Sequence, residues 1–88
     1  MLKLHYTSQF KRDYKLQQKR HKDIDLLDNV ISLLAKTTSL PLKNNDHPLQ
    51  GNYKGYRECH VEPDWLLIYK IEVDSISFVR TGTHSDLF

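Results

Sequence analysis

Between Tyr56 and Arg80 lie three strand-like runs, Tyr56–Val61, Trp65–Ile71 and Ile76–Arg80, rich in Val, Ile, Phe, Tyr and Trp. Only Glu62-Pro63-Asp64 and a turn around Asp74-Ser75 separate them. Parallel neighbours need a crossover of about a dozen residues or more, and these turns leave no room for one. The three runs therefore form an antiparallel meander, and the earlier part of the chain has to pack on it.

The earlier part supplies one strand and two helices. Leu2, Leu4 and Tyr6 alternate with Lys3 and His5, which predicts a short opening strand with one face toward a core. Thr7 or Ser8 then caps a helix running to about Arg20, rich in Lys, Gln and Arg, with Phe10 and Tyr14 four residues apart on one side. His21-Lys22 breaks it, and Asp23 or Asp25 caps a second helix. There Ile24, Leu27, Ile31 and Leu34 recur at helical spacing, and Leu26, Val30 and Leu33 widen the stripe. A helix this apolar has to lie on the sheet, so a helical hairpin on one sheet face is the economical arrangement. Residues 40–55 hold Pro41, Pro48, Gly51, Gly55 and Asn44-Asn45-Asp46, which predict a long loop. The result is an α+β domain of order β-α-α-β-β-β occupying residues 1–88.

A chain of 88 residues makes one domain and buries about 60% of its unfolded surface. No apolar run nears the roughly 20 residues of a membrane span, which predicts no membrane partner. The opening residues lack the long apolar core of a secretion signal, and the lone Cys59 has no partner within the chain, so the expected setting is the reducing cytoplasm. The net charge of +2 conceals a split: residues 1–22 carry seven Lys/Arg against Asp13 alone, and the remainder carries more acids than bases. Lys11, Arg12, Lys15, Lys19, Arg20 and Lys22 could follow a phosphate backbone or meet an acidic protein; a solvated helix face is the plainer alternative.

Strand parity limits which side chains can share a site. Tyr56, Glu58 and His60 point one way from the first meander strand, and Arg57, Cys59 and Val61 the other. This disfavours a Cys59/His60 nucleophile pair. Asp64, just past Pro63, falls near His60, and Arg80 and His84 arrive from the last strand, where Gly82 frees the backbone to bend. Histidines, an acid and an arginine suit metal-free phosphodiester cleavage: a base takes the RNA 2′-hydroxyl proton, an acid protonates the leaving 5′-oxygen, and a cation stabilises the phosphorane. In that reading His84 works with His60 or His47, Arg80 clamps the phosphate, and Asp64 orients or tunes a histidine. No His-x-His, Cys-x-x-Cys or His-Glu-x-x-His is present, which argues against a zinc site and implies no cofactor. Trp65 and Tyr69 read as core, whereas Phe88 is the aromatic more easily placed against a base.

Several motifs, taken together, carry a family likeness: Gln18-Lys-Arg-His-Lys22, Asp46-His-Pro-Leu-Gln-Gly51, Lys54-Gly-Tyr-Arg57, His60-Val-Glu-Pro-Asp-Trp65, Arg80-Thr-Gly-Thr-His84 and Leu87-Phe88. Over nearly its whole length the chain resembles the YafQ branch of the RelE/ParE toxin superfamily. The resemblance implies a microbial RNase-like fold and a ribosome-dependent endoribonuclease toxin of a type II toxin–antitoxin pair. It places active-site residues at His47, His60, Asp64, His84 and Phe88, with Arg80 and Trp65 near them. Partners implied are the ribosome with its mRNA, and a DinJ-like antitoxin in a heterotetramer of two toxins and two antitoxins that reaches operator DNA only through the antitoxin. Basic residues of the first helix would then meet ribosomal RNA. Two other functions compete: a ParE-like inhibitor that binds DNA gyrase without cleavage, and a non-catalytic RNA- or ribosome-binding module. Neither requires the histidines.

Overall fold

A computed structural model describes all 88 residues. Strand β1 (Lys3–Tyr6) leads into helices α1 (Ser8–Lys19) and α2 (Ile24–Ala35). Strands β2 (His47–Pro48), β3 (Arg57–Glu62), β4 (Trp65–Ile71) and β5 (Ser75–Gly82) follow, and α3 (His84–Leu87) closes the fold. The sheet order is β1-β5-β4-β3-β2, with β1 parallel to β5 and every other pair antiparallel. The α+β meander holds as expected, with two additions. The 40–55 stretch is ordered by two 3₁₀ turns and the extra strand β2, and His84 begins a helix instead of riding a turn.

Helix starts follow the capping chemistry of the sequence. Thr7 accepts a hydrogen bond from the Phe10 amide, and Asp23 accepts one from the Asp25 amide, each satisfying a donor that the first helical turn leaves free. Between the helices the backbone reverses at His21, which adopts a left-handed conformation (φ 60°).

β4 is the centre of the molecule, and its five residues Trp65 to Tyr69 are fully buried. Trp65, Leu67 and Tyr69 join Phe10, Leu27, Val30, Ile31 and Leu34 on the helix face. Leu66 and Ile68 pack against Leu87, Leu49, Tyr53, Tyr56 and Val79 on the other face. A strand covered on both sides needs apolar residues at every position, which is why this run does not alternate.

One irregularity sets up the site. β5 pairs Phe78 with Tyr69 but Arg80 with Ile68, leaving Val79 as an extra residue. Without that bulge Arg80 would share the parity of Ile76 and Phe78 and point into the helix-side core. With it, Thr81 takes the core position opposite Leu67 and Arg80 leaves the core. β1 ends at Tyr6, so beyond it Asp13 of α1 meets the open edge of β5 and accepts from the Thr81 amide at 3.2 Å.

Candidate active site

His84 stands at the start of α3, and Asp64 occupies the turn joining β3 to β4. One oxygen of Asp64, Oδ1, accepts from both the His84 amide (3.0 Å) and His84 Nδ1 (2.6 Å). A carboxylate only accepts, so Nδ1 carries the proton and Nε2 of the neutral ring is the proton acceptor. Hydrogen bonds from the His84 backbone, and then from its imidazole, hold the Asp64 carboxyl below the usual aspartate range, and Lys22 adds to the effect.

His60 and His47 extend this arrangement into a row. Their ring centroids lie 6.2 Å apart, and His60 lies 5.8 Å from His84. His60 Nδ1 is 3.2 Å from the Pro63 carbonyl and His47 Nδ1 is 2.6 Å from the Asn45 carbonyl. Carbonyls accept only, so in all three histidines Nδ1 faces an acceptor, and Nε2 of His47 and of His84 is the nitrogen available for other work. His60 Nε2 lies 3.6 Å from Glu58 Oε1.

The loop that carries His47 is tied down twice. Asn44 Nδ2 donates to the His60 carbonyl at 2.6 Å. Asp46 Oδ1 accepts from the Tyr69 hydroxyl (2.5 Å) and from Arg57 Nε (3.2 Å). His47 therefore belongs to the sheet through β2 and to β4 through its neighbour Asp46.

Arg80 lies within this face but is already paired: its Nε and Nη2 donate to Asp13 at 2.7 and 3.3 Å, and 24% of its side chain is exposed. Phe88 is 63% exposed, its ring edge-on to Tyr53 at 5.8 Å, with Tyr53 in turn 6.0 Å from Tyr56. Trp65 does not stand in the site. Its parity puts it on the helix face, it is fully buried, and its indole N–H donates to Thr81 Oγ1 at 2.9 Å, so it belongs to the support and not to the substrate surface.

The six basic residues divide. Lys11, Arg12, Lys15 and Lys19 are exposed along α1. Arg20 and Lys22, in the α1–α2 connection, turn to the site: Arg20 donates two hydrogen bonds to Asp86 of α3, and Lys22 Nζ lies 5.8 Å from the Trp65 ring centre. A groove of about 750 Å³ lies elsewhere; Leu4, Tyr6, Phe10, Tyr14 and Ile31 line it, and no histidine does.

Four contributing residues were not picked out as site residues from the sequence. Glu58 shares the strand face of His60, which alternate spacing does reveal. Asp13 has no local signal, because its partners Arg80 and Thr81 come from the far end of the chain; Asp86 stands at capping-box spacing after Thr83, but its partner Arg20 is distant, as is the Phe88 partner of Tyr53. Glu58, His60 and His84 each offer one possible metal-ligand atom, all within 4.8 Å of one another. Their separation in sequence matches no standard zinc spacing, so a motif search passes over them.

A family model described as bacterial toxin of type II toxin-antitoxin system, YafQ, matches residues 2–88. The chain belongs to this YafQ toxin family. It is 52% identical over 86 residues to the mRNA interferase toxin YafQ of Escherichia coli strain K12, covering 97% of this chain and 94% of that protein. The crystal structure of YafQ from E. coli strain BL21(DE3) superposes with a TM-score of 0.95 at 49% identity, covering 100% and 99% of the two chains. A crystal structure of the E. coli DinJ-YafQ complex is similar with a TM-score of 0.92 at 50% identity, covering 100% and 99%. The RelE-like fold and the YafQ kinship expected from the motifs both hold.

Proposed function

We propose that this chain is an mRNA interferase, the endoribonuclease toxin of a type II toxin–antitoxin module, cutting mRNA on the ribosome in the cytoplasm and thereby stopping translation. Its kinship to an mRNA interferase toxin and to the toxin of a DinJ-YafQ complex supports both the activity and a DinJ-like antitoxin as partner. The observation that carries the chemistry is the Asp64–His84 pair with His60 beside it.

In the proposed reaction a histidine takes the proton from the 2′-hydroxyl, and that oxygen attacks the adjacent phosphorus. The bond from phosphorus to the 5′-oxygen breaks, and a second protonated histidine gives its proton to the leaving oxygen. The products are a 2′,3′-cyclic phosphate and a 5′-hydroxyl. His84 is one member of this pair, and His60 or His47 is the other. Asp64 fixes the His84 tautomer and favours the imidazolium once it forms, as an orienting carboxylate does. Arg80 presents the part of its guanidinium not engaged by Asp13 to the phosphate, and Phe88 supports the base. The chemistry needs no metal from the toxin.

Primer extension on mRNA from cells making the wild type or His84→Ala tests this. Removing an acid–base group costs on the order of 10²–10⁴ in rate, so the variant should leave mRNA uncut and cells growing, while staying folded and bound to antitoxin. Cleavage at the wild-type level in His84→Ala would refute the assignment. Absence of cleavage by the wild type itself, with growth arrest retained, would favour a binding toxin of the gyrase-inhibiting kind.

A further inference from the structure

We propose that the ion pair between Arg20 and Asp86 is the positioning device for His84, so that Arg20 acts on the reaction through α3 and not as an RNA contact. α3 is a single turn, His84–Leu87, and a helix that short has no stability of its own. Its geometry has to come from outside, and three tethers supply it. Leu87 is buried against Leu66 and Ile68. Asp64 holds the His84 amide and ring. The third tether is the Asp86 carboxylate.

Asp86 serves two roles at once. Within α3 it closes a capping box, accepting from the Thr83 amide at 2.9 Å while the Thr83 hydroxyl accepts from the Asp86 amide at 3.1 Å. Across the fold it accepts Arg20 Nη1 at 2.6 Å and Nη2 at 3.1 Å, a two-pronged pairing that fixes orientation as well as distance. Arg20 is itself held, because it is the C-cap of α1 and its amide donates to the Leu16 carbonyl at 3.0 Å. The chain of contacts runs from the end of α1, through Asp86 and Thr83, to the backbone of His84.

Gly82 shows that space is reserved for this carboxylate. A Cβ at Gly82 would lie 2.8 Å from Asp86 Oδ2 and 3.0 Å from Asp86 Cβ, too close for either to stay in place. Arg20 is thereby set apart from Lys11, Lys15 and Lys19, which have no carboxylate of the chain bound to them. Its guanidinium is committed to α3.

The proposal rests on the nuclease function above, and its test has an arm independent of cleavage. Arg20→Ala, Arg20→Lys, Asp86→Asn and the Arg20→Ala/Asp86→Asn double variant are compared with the wild type in single-turnover cleavage of ribosome-bound mRNA. Small displacements of a reacting group cost up to about 100-fold, so each single variant should lose about 10- to 100-fold in maximal rate, with half-saturation changed less than about twofold. The double variant should be no worse than the poorer single, because both break one tether. Arg20→Lys should recover part of the rate, since it keeps the charge without the fork. Imidazole ¹⁵N spectra of the folded variants read the tether directly: the wild type should show His84 with the proton on Nδ1, and the Arg20 and Asp86 variants a mixture of tautomers. A raised half-saturation for Arg20→Ala at unchanged maximal rate, with Asp86→Asn silent, would make Arg20 a phosphate contact and overturn the proposal. An unaltered His84 spectrum in both single variants would overturn it as well, whether or not the wild type cleaves RNA.

Discussion

Trp65→Phe separates support from chemistry at the place where sequence position suggests both. The indole is fully buried and spends its N–H on Thr81 Oγ1, and the Thr81 hydroxyl donates in turn to the Leu66 carbonyl at 2.8 Å. Phenylalanine keeps a ring in the same slot but loses one buried hydrogen bond, about 1 kcal/mol. The smaller ring also leaves a void between β4 and the helices, about 2 kcal/mol more for a core truncation of this size. A loss of about 3 kcal/mol in a domain this small lowers the melting temperature by roughly 12–24 °C. Thermal unfolding followed by circular dichroism measures that directly. The cleavage rate, taken well below the lowered midpoint, should stay within about threefold of wild type, because no reacting group has moved. An unshifted melting temperature combined with lost cleavage would mean that Trp65 touches the nucleotide, and the buried placement would be wrong.

Other perturbations address the remaining features. Gly82→Ala introduces a methyl group 2.8 Å from Asp86 Oδ2, and its cleavage rate and His84 tautomer spectrum should match those of Asp86→Asn; a wild-type spectrum would contradict this. Asp64 and Asp86 both titrate below the ordinary aspartate value of about 3.9, so the stability they add is complete above that value and disappears as pH falls through their lower folded values. Amide shifts of α3 followed through acid titration should therefore move in this range before those of β4, and simultaneous movement would show that α3 is held by other means. Charge reversal at Lys11, Lys15 and Lys19 should weaken ribosome association and flatten its salt dependence, with each lost phosphate contact lowering the slope by about 1. Unchanged binding would make that face of α1 merely solvated.

The meander, the helical hairpin and the nearness of His60, Asp64 and His84 were legible because each depends on local pattern. Proline and aspartate mark the turn after Glu62, and alternation tells which side of β3 carries His60. What stayed hidden depends on contacts between distant residues. Nothing near Val79 announces the bulge, yet it moves Arg80 off the helix-side face and brings Thr81 under Trp65. The Asp13–Arg80 pair spans 67 residues and Arg20–Asp86 spans 66, so a basic residue that reads as a surface cation is in one case an internal tie. β2 escaped notice because a two-residue strand containing proline has no period to detect.

The form of the site bears on how it meets its substrate. Three histidines come from three segments, β2, β3 and α3, and each is fixed by an acceptor at Nδ1. Fixing that nitrogen turns Nε2 of His47 and His84 outward and that of His60 toward Glu58, so the row of rings is oriented before any ligand arrives. The row itself is shallow: His84 is exposed, and the groove lined by Leu4, Tyr6 and Phe10 lies away from it. Acid–base cleavage also needs the 2′-oxygen, the phosphorus and the leaving oxygen brought into line, and an open row of side chains does little to impose that geometry. Under the proposed mechanism the toxin thus supplies oriented proton-transfer groups and a cation but little enclosure. A partner that already grips the mRNA backbone has to supply the rest, which is the physical case for a ribosome-bound substrate over free RNA.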